Sequence, residues 1–293
     1  MIRTYCPRLD LQKFFPALEK KKAVLLHPRR AHVGDVRASK MAGSIAWPQE
    51  ERWPQCPEHN TDMITVLQLR REDIGSVVRF PDGNDLLQLL WCPRLEHEDN
   101  GYSPIARTFW RDSATLGALR SEMGGVNVEL DEGCVPAECA LHVEEVEEFP
   151  SSMALDVRTS AAVDEVIKTH GQEDIAAVDA DEVNYYDSLF GAAPQSKAGG
   201  HAAWMQDEDT VECEQCGERM EHLLTVASEE NNESFGRWAA IEEGVGEDGE
   251  DGLDDDDEGE GHTGVMLGDV GSYYVMVCRR CAQWPIATRL QSC

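Results

Sequence analysis

The sequence predicts a mainly β protein of the α+β class, built as two pseudo-symmetric β-rich modules that a helical segment joins. Three observations support this prediction. The segment from Ser39 to Leu69 recurs 157 residues later without a gap, and ten of its 31 positions are identical. Short apolar or β-branched runs accompany each copy, as expected of strands. Cysteine pairs flank two such runs in the second copy. The repeat indicates an internal duplication.

The predicted strands form two sets, one in each module. Each is a short apolar or β-branched run, and turn residues such as Pro81–Asn84 and Gly268–Gly271 precede two of them. In the first module, residues 1–150, the strands are Lys22–His27, Met63–Leu69, Asp85–Trp91 and Ile105–Arg111. We expect Pro28 to end the first of these strands. In the second module, residues 191–293, they are Glu221–Val226 and Ser272–Val277.

A helical segment is predicted to bridge the modules across residues 151–190. Apolar residues recur at roughly helical spacing from Ser152 to His170, and Gly171 is a typical residue after a helix C-terminus. Residues 242–262, by contrast, lack periodicity and carry like charges, which predicts a disordered acidic loop inside the second module. We expect the chain to form one compact unit.

The charge of the chain limits the partners that it can bind. The formal net charge is −30, and twelve acidic residues lie between Glu242 and Glu260. Such a field repels nucleic acid and favours a basic protein partner, although a solvated surface is the simpler interpretation. The sequence has no apolar run of about 18 residues and no signal-peptide core. We therefore expect a cytoplasmic protein outside the membrane, and its oligomeric state stays open.

The second module carries a predicted zinc site. Cys213 and Cys216 precede one strand, Cys278 and Cys281 follow another, and two such pairs at strand ends are the ligand pattern of a zinc ribbon. The acidic loop accounts for most of the long spacing between the pairs. Buried reduced thiols and a redox dithiol are the alternatives. The cofactor that we expect is structural zinc, with one ion in this module.

The first module offers a mixed set of ligands at the corresponding positions, once the acidic loop of the second module is left out of the comparison. Cys56, His59 and Cys92 match three of the four cysteines, Leu95 stands in the place of the fourth, and His97 lies two residues further on. Cys56, His59, Cys92 and His97 therefore form a second, weaker candidate zinc site. The sequence favours a reshaped site instead, in which ordinary hydrogen bonds satisfy both histidines.

Other repeated residues have simpler predicted roles. They are the pairs Gly43/Gly200, Trp47/Trp204 and Lys40/Lys197. We expect the glycines to allow turns and the tryptophans to anchor the cores. The alternative is a groove in which a lysine and a tryptophan of each half flank a ligand. Cys134 and Cys139 are not two residues apart, as the cysteines of a zinc-binding Cys-x-x-Cys pair are, and they are predicted to be buried thiols.

The combined pattern resembles the YwqG-like bacterial proteins, a family of unknown function. The resemblance rests on Ser39–Pro48, Trp53–Cys56 and Leu87–Pro93 in the first half, and on Lys197–Gly200 and Cys213–Met220 in the second. More distantly, the pattern is similar to the eukaryotic programmed-cell-death-protein-2 group. That similarity implies a duplicated β-rich fold and a chaperone that binds an extended or nascent basic protein. The histidine and leucine that replace two cysteines of the first half depart from this pattern.

We therefore expect a non-enzymatic protein-binding module, chaperone-like or inhibitory in the manner of an immunity protein, that holds a basic protein. The sequence lacks the common nucleotide-binding, hydrolase and metalloprotease motifs, and it predicts no catalytic residues. A closed four-thiolate centre also leaves no position for a reactive water. The alternative is an enzyme or small-ligand binder with an unrecognised site in the cleft between the modules.

Overall fold

The computed structural model of the protein describes residues 2–98, 100–121, 130–178, 185–230, 233–242 and 263–292. Its strands are β1 (Ile2–Arg3), β2 (Lys21–Leu25), β3 (Pro28–Arg30), β4 (Lys40–Met41), β5 (Ile64–Arg70), β6 (Leu86–Trp91), β7 (Glu96–His97), β8 (Gly101–Tyr102), β9 (Ala106–Arg111), β10 (Cys139–Leu141), β11 (Glu144–Glu148), β12 (Lys197–Gly199), β13 (Glu221–Ala227), β14 (Ile241–Glu242), β15 (Ser272–Val277) and β16 (Ile286–Gln291). The α-helices are α1 (Arg71–Ile74), α2 (Val157–His170), α3 (Gln172–Ala177) and α4 (Tyr185–Leu189). Short 3-10 helices cover Leu11–Lys13, Ser113–Thr115, Glu132–Cys134, Ser152–Ala154 and Glu233–Trp238. The predicted acidic loop, apart from Glu242, lies outside the described residues.

Two antiparallel six-stranded sheets dominate the fold, which confirms the mainly β class. The first sheet has the order β3-β10-β4-β5-β6-β9, and the second has the order β11-β2-β12-β13-β15-β16. Their central strand pairs share an irregularity. The register of β5 against β6 shifts between Thr65 and Leu67, and that of β13 against β15 shifts between His222 and Leu224, which are the positions 157 residues later.

The two sheets share one apolar core. It contains Leu89 and Trp91 from the first sheet together with Val226 and Tyr273 from the second. The rings of Trp91 and Tyr273 pack edge to face, with their centroids 5.4 Å apart. Separate apolar clusters hold the repeated tryptophans, which are both buried as predicted. The core therefore joins the two halves of the chain along the faces of their sheets.

Two bent segments also tie the sheets together. Lys21–Arg30 supplies β2 to the second sheet and β3 to the first, while Cys139–Glu148 supplies β10 to the first and β11 to the second. These segments pair antiparallel on both sides of a bend at His27, whose φ is 38°. The prediction that Pro28 closes the strand is wrong, because Pro28 begins β3 at the edge of a sheet, where proline is tolerated. The boundary near residue 150 therefore does not divide the chain between the sheets.

The predicted helix is α2, which begins at Val157 rather than at Ser152. The side chain of Asp156 accepts hydrogen bonds from the N–H groups of Arg158 and Thr159, so it caps the first turn. The helix ends at His170 and packs beside α4 in a satellite apolar cluster. Across the part of the chain that the structure describes, no helix combines the length and apolarity needed to cross a bilayer.

A fully buried ion pair links β11 to β12. The ammonium of Lys197 donates to both carboxylate oxygens of Glu148 at 2.8 Å, and both side chains are 0% exposed. Glu148 also accepts the main-chain N–H groups of Ala193 and His201. Burial lowers the pKa of Lys197, and the charge of Glu148 opposes this effect. Since a buried charge without its partner is costly, the pair makes β11 and β12 depend on each other.

Lys40 holds the matching position in the first sheet and is also fully buried. Its ammonium donates to the carbonyl of Val33 at 2.8 Å, and burial lowers its pKa against the opposing charge of Glu138. Gly43 and Gly200 have positive φ, and a side chain at either position would collide with the nearby glutamate. Both lysines thus belong to the interior, so they cannot line an open ligand groove.

Glu148→Gln should lower the free energy of unfolding by about 3 kcal/mol, because it leaves the charge of Lys197 buried without its counter-ion. Urea unfolding of the metal-loaded protein measures this loss. Glu147→Gln is the matched control, since its pair with Lys20 is largely exposed and should contribute less than about 1 kcal/mol. Equal effects of the two substitutions would contradict a special role for the buried pair.

Candidate metal centres

The second half builds its cysteine cluster from two tight turns at the ends of neighbouring strands. In the turn before β13, the N–H of Cys213 donates to the carbonyl of Glu218, and the N–H of Gly217 donates to the carbonyl of Cys213. Gly217 has a φ of 70°, in the left-handed region that favours glycine. This turn holds the sulfur atoms of Cys213 and Cys216 within 4.8 Å of each other.

The second turn, after β15, completes the set. The N–H of Cys278 donates to the carbonyl of Pro285 at 2.9 Å. The Sγ atoms of Cys213 and Cys281 are 3.8 Å apart, and those of Cys216 and Cys278 are 3.6 Å apart. Four sulfur atoms at tetrahedral positions about 2.3 Å from one zinc ion would be about 3.8 Å apart. The cluster therefore matches the geometry of a four-thiolate centre.

The turn also prepares the sulfur of Cys278 for metal binding. The main-chain N–H of Cys281 lowers the pKa of the Cys278 thiol to about 7, with a smaller contribution from the N–H of Arg280. The thiolate is the form that binds metal. Cys213 and Cys278 are buried, whereas Cys216 is exposed, so this centre lies at the surface.

The first half places a mixed cluster at the matching position. The N–H of Cys56 donates to the carbonyl of Thr61 at 2.8 Å, which repeats the bond from Cys213 to Glu218. Asn60 stands where the second half has Gly217, and it adopts a φ of 55°. Asparagine is one of the few side chains that enter this region readily. The turn before β5 is therefore the same turn with different residues.

All four candidate ligands of the first half converge. Nδ1 of His59 lies 3.8 Å from Sγ of Cys56 and 3.4 Å from Sγ of Cys92, while Nε2 of His97 lies 3.5 Å from Sγ of Cys56. Nitrogen and sulfur atoms bound to one zinc ion would be about 3.6 Å apart. Each of the two Cys/His sets keeps its ligand atoms within 4.8 Å of one another and can hold a zinc ion.

His97 replaces the missing fourth cysteine through a local change of the chain. Leu95, which takes the place of Cys281 in the frame, points into the apolar core. His97 follows in β7, and its Nδ1 lies 3.1 Å from the carbonyl of Leu95, which leaves Nε2 to face Cys56. Such a bond fixes the ring of a ligating histidine. The sequence favoured ordinary hydrogen bonds for the two histidines, whereas the structure turns a nitrogen of each toward sulfur.

The remaining cysteines stand apart from these clusters. Cys134 and Cys139 are buried, as predicted, and burial raises the pKa of their thiols to about 12 and about 11. Cys6 is exposed, and Cys293 lies outside the described residues. Sequence reasoning found both ligand sets but not the glutamates that accompany the buried lysines, because acidic residues are too abundant in this chain to be informative one by one.

No protein-family model matches this chain, and a search of curated proteins finds no match for it.

In the native protein at about pH 8, iodoacetamide should modify Cys6 and leave Cys134 and Cys139 intact. The two buried thiols are protonated at this pH because burial raises their pKa. Peptide mass spectrometry before and after unfolding in guanidinium measures the modification at each cysteine. Modification of Cys134 in the folded protein at the rate of Cys6 would show that the thiol is not enclosed as described.

Proposed function

We propose that this chain is a non-enzymatic protein-binding module, chaperone-like or inhibitory, whose two sheets are stabilised by structural zinc and whose partner is a basic protein. The proposal of structural zinc rests on the convergence of two complete four-ligand sets at matching strand ends. Sets of four sulfur ligands, or of two sulfur and two imidazole ligands, are typical of structural zinc. Each set would fill all four positions of a tetrahedral ion with protein atoms, so neither reserves a position for a substrate.

An internal duplication is part of this proposal. Its support is the common strand order, the register shifts 157 residues apart, and the two similar turns before β5 and β13. The first serine of each repeat gives further support. The hydroxyl of Ser39 donates to Asp73, and that of Ser196 donates to Glu230. The two acceptors, like the two serines, are 157 residues apart. Membership of the YwqG-like proteins is proposed on the same pattern.

The cleft between β9 and the loop that precedes β16 favours binding over catalysis. It is a cavity of about 360 Å³ that residues of β9 line on one side and Ala282–Trp284 on the other. Its one ionisable lining residue, Arg111, already forms a two-point ion pair with Glu51. Catalytic sites need converging acid and base groups, and this lining offers none among the described residues.

The charge of the chain supports a basic partner. At a formal −30, the protein attracts positively charged proteins and repels nucleic acids. The attraction between exposed charges is screened beyond about 8 Å at physiological ionic strength. Binding that depends on this charge must therefore weaken steeply as salt is added.

The purified protein should contain two zinc ions per chain. Cys213→Ser and Cys56→Ser should each remove about one, since each breaks one four-ligand set. Inductively coupled plasma mass spectrometry of the dialysed proteins measures the content. Cys6→Ser is the matched control, because Cys6 lies outside both sets. A content below half an equivalent that Cys213→Ser leaves unchanged would refute the zinc proposal.

The immobilised protein should capture a basic protein from its native cell at about 0.15 M salt and release it at about 1 M. Replacing the acidic residues between Glu242 and Glu260 by their amides should weaken the capture, because it removes twelve negative charges. Quantitative mass spectrometry identifies the partner, and its sequence gives its isoelectric point. A partner retained equally at high salt and by the amide variant would rule out electrostatic holding.

A further inference from the structure

A cavity of about 490 Å³ lies along the free edge of β11, away from both metal centres. The N-terminal segment from Thr4 to Leu11 forms one wall, and β11 forms the other. The segment is fixed in place because the N–H of Thr4 donates to Glu144 and the N–H of Tyr5 donates to the carbonyl of Arg237. The volume is within the range of small-molecule sites.

The side chain of Arg237 lines this cavity and is 7% exposed. Its guanidinium lies 3.6 Å from the ring centroid of Trp238, and Nη2 donates to the carbonyl of Glu147. Nε is buried and has no hydrogen-bond partner. Within the described part of the chain, no carboxylate lies within ion-pair distance of this guanidinium. Arg237 is thus a buried cation whose Nε–H donor is unused.

Each of the other charged residues that line the cavity contacts a side chain of opposite charge or a histidine. The ion pairs are Arg8 with Glu173, Asp10 with Lys13, Lys20 with Glu147, and Lys22 with Glu145, while Glu144 contacts His27, which is charged only when protonated. The carboxylate of Glu144 also accepts hydrogen bonds from the N–H and the hydroxyl of Thr4. Among the charged residues that line the cavity, Arg237 is therefore the one with no oppositely charged or ionisable side chain of the described residues within ion-pair distance.

The remaining walls are apolar. They comprise Leu9, Leu11, Val146, Phe149 and Phe190. Phe149 and Phe190 form an edge-to-face pair with their ring centroids 6.3 Å apart. A ligand that fits both parts of the cavity needs one anionic group and a hydrocarbon or aromatic body. Inorganic anions lack the second feature.

We propose that this cavity binds a small organic carboxylate, with the carboxylate on Arg237 and the apolar body against Phe149 and Phe190. Guanidinium binds carboxylate through two parallel charge-assisted hydrogen bonds. The bound anion would add a close counter-charge and hydrogen-bond acceptors to Arg237. In agreement, burial lowers the pKa of Arg237 to about 10, although the charges of Glu148, Glu144 and Glu147 oppose this effect. This site goes beyond the proposed protein binding and does not depend on it.

Titration calorimetry of the zinc-loaded protein tests the proposal with phenylacetate and hexanoate as probes and phenylacetamide as the uncharged match. We expect both acids to bind and the amide to bind at least about tenfold more weakly. Arg237→Met should reduce acid binding by a similar factor, whereas Arg107→Met, at an exposed arginine on β9, should leave it unchanged. The proposal is overturned if the amide binds as well as the acids, or if Arg237→Met binds them normally.

A second measurement needs no variant and therefore holds even if Arg237→Met fails to fold. Cys6 is exposed and lines the cavity, so a bound acid should slow its alkylation in the wild-type protein. Mass spectrometry of the Cys6 peptide gives the rate with phenylacetate and with phenylacetamide. Slower alkylation with the acid alone supports the site. Equal rates with both probes at millimolar concentration would overturn it, because any bound acid would then lie elsewhere.

Discussion

The antiparallel pairing of two bent segments, Lys21–Arg30 and Cys139–Glu148, is the constraint on which the rest of this fold depends. Each segment gives one strand to each sheet, so neither sheet is complete without chain from both ends of the first half. The main-chain hydrogen bonds of this pairing fix the position of one sheet against the other. The shared apolar core then fills the space between the two faces.

Each sheet is held at both ends of its central strands. At one end stands a Cys/His cluster, in the turn before β5 or β13. Near the other end stands a buried lysine, Lys40 opposite Gln68 in one sheet and Lys197 opposite Thr225 in the other. Glu148, which pairs with Lys197, ends the second bent segment, and Glu138, whose charge acts on Lys40, immediately precedes that segment. Electrostatics and strand pairing are therefore coupled, since moving β11 would strip the counter-ion from Lys197.

Local patterns in the sequence were enough to find the central strands. Apolar and β-branched runs predicted β5, β6, β9, β13 and β15 within one or two residues. The same patterns missed β11, whose sequence of four glutamates around one valine has low strand propensity. Its pairing with β2 overrides that propensity, and diagonal ion pairs of Lys20 with Glu147 and of Lys22 with Glu145 accompany the pairing. The sequence of β11 carries no such local signal, and its partner β2 lies more than a hundred residues away.

The sequence by itself determined the ligand types, their spacing and the correspondence between the halves, because a repeat and a cysteine pair are local facts. Only the tertiary structure decided that His97 completes the first set while Leu95 enters the core. It alone decided that the first half supplies strands to both sheets, and that the Nε atom of Arg237 is enclosed without a hydrogen-bond partner. These features depend on burial and on contacts between distant segments, which no window of sequence contains.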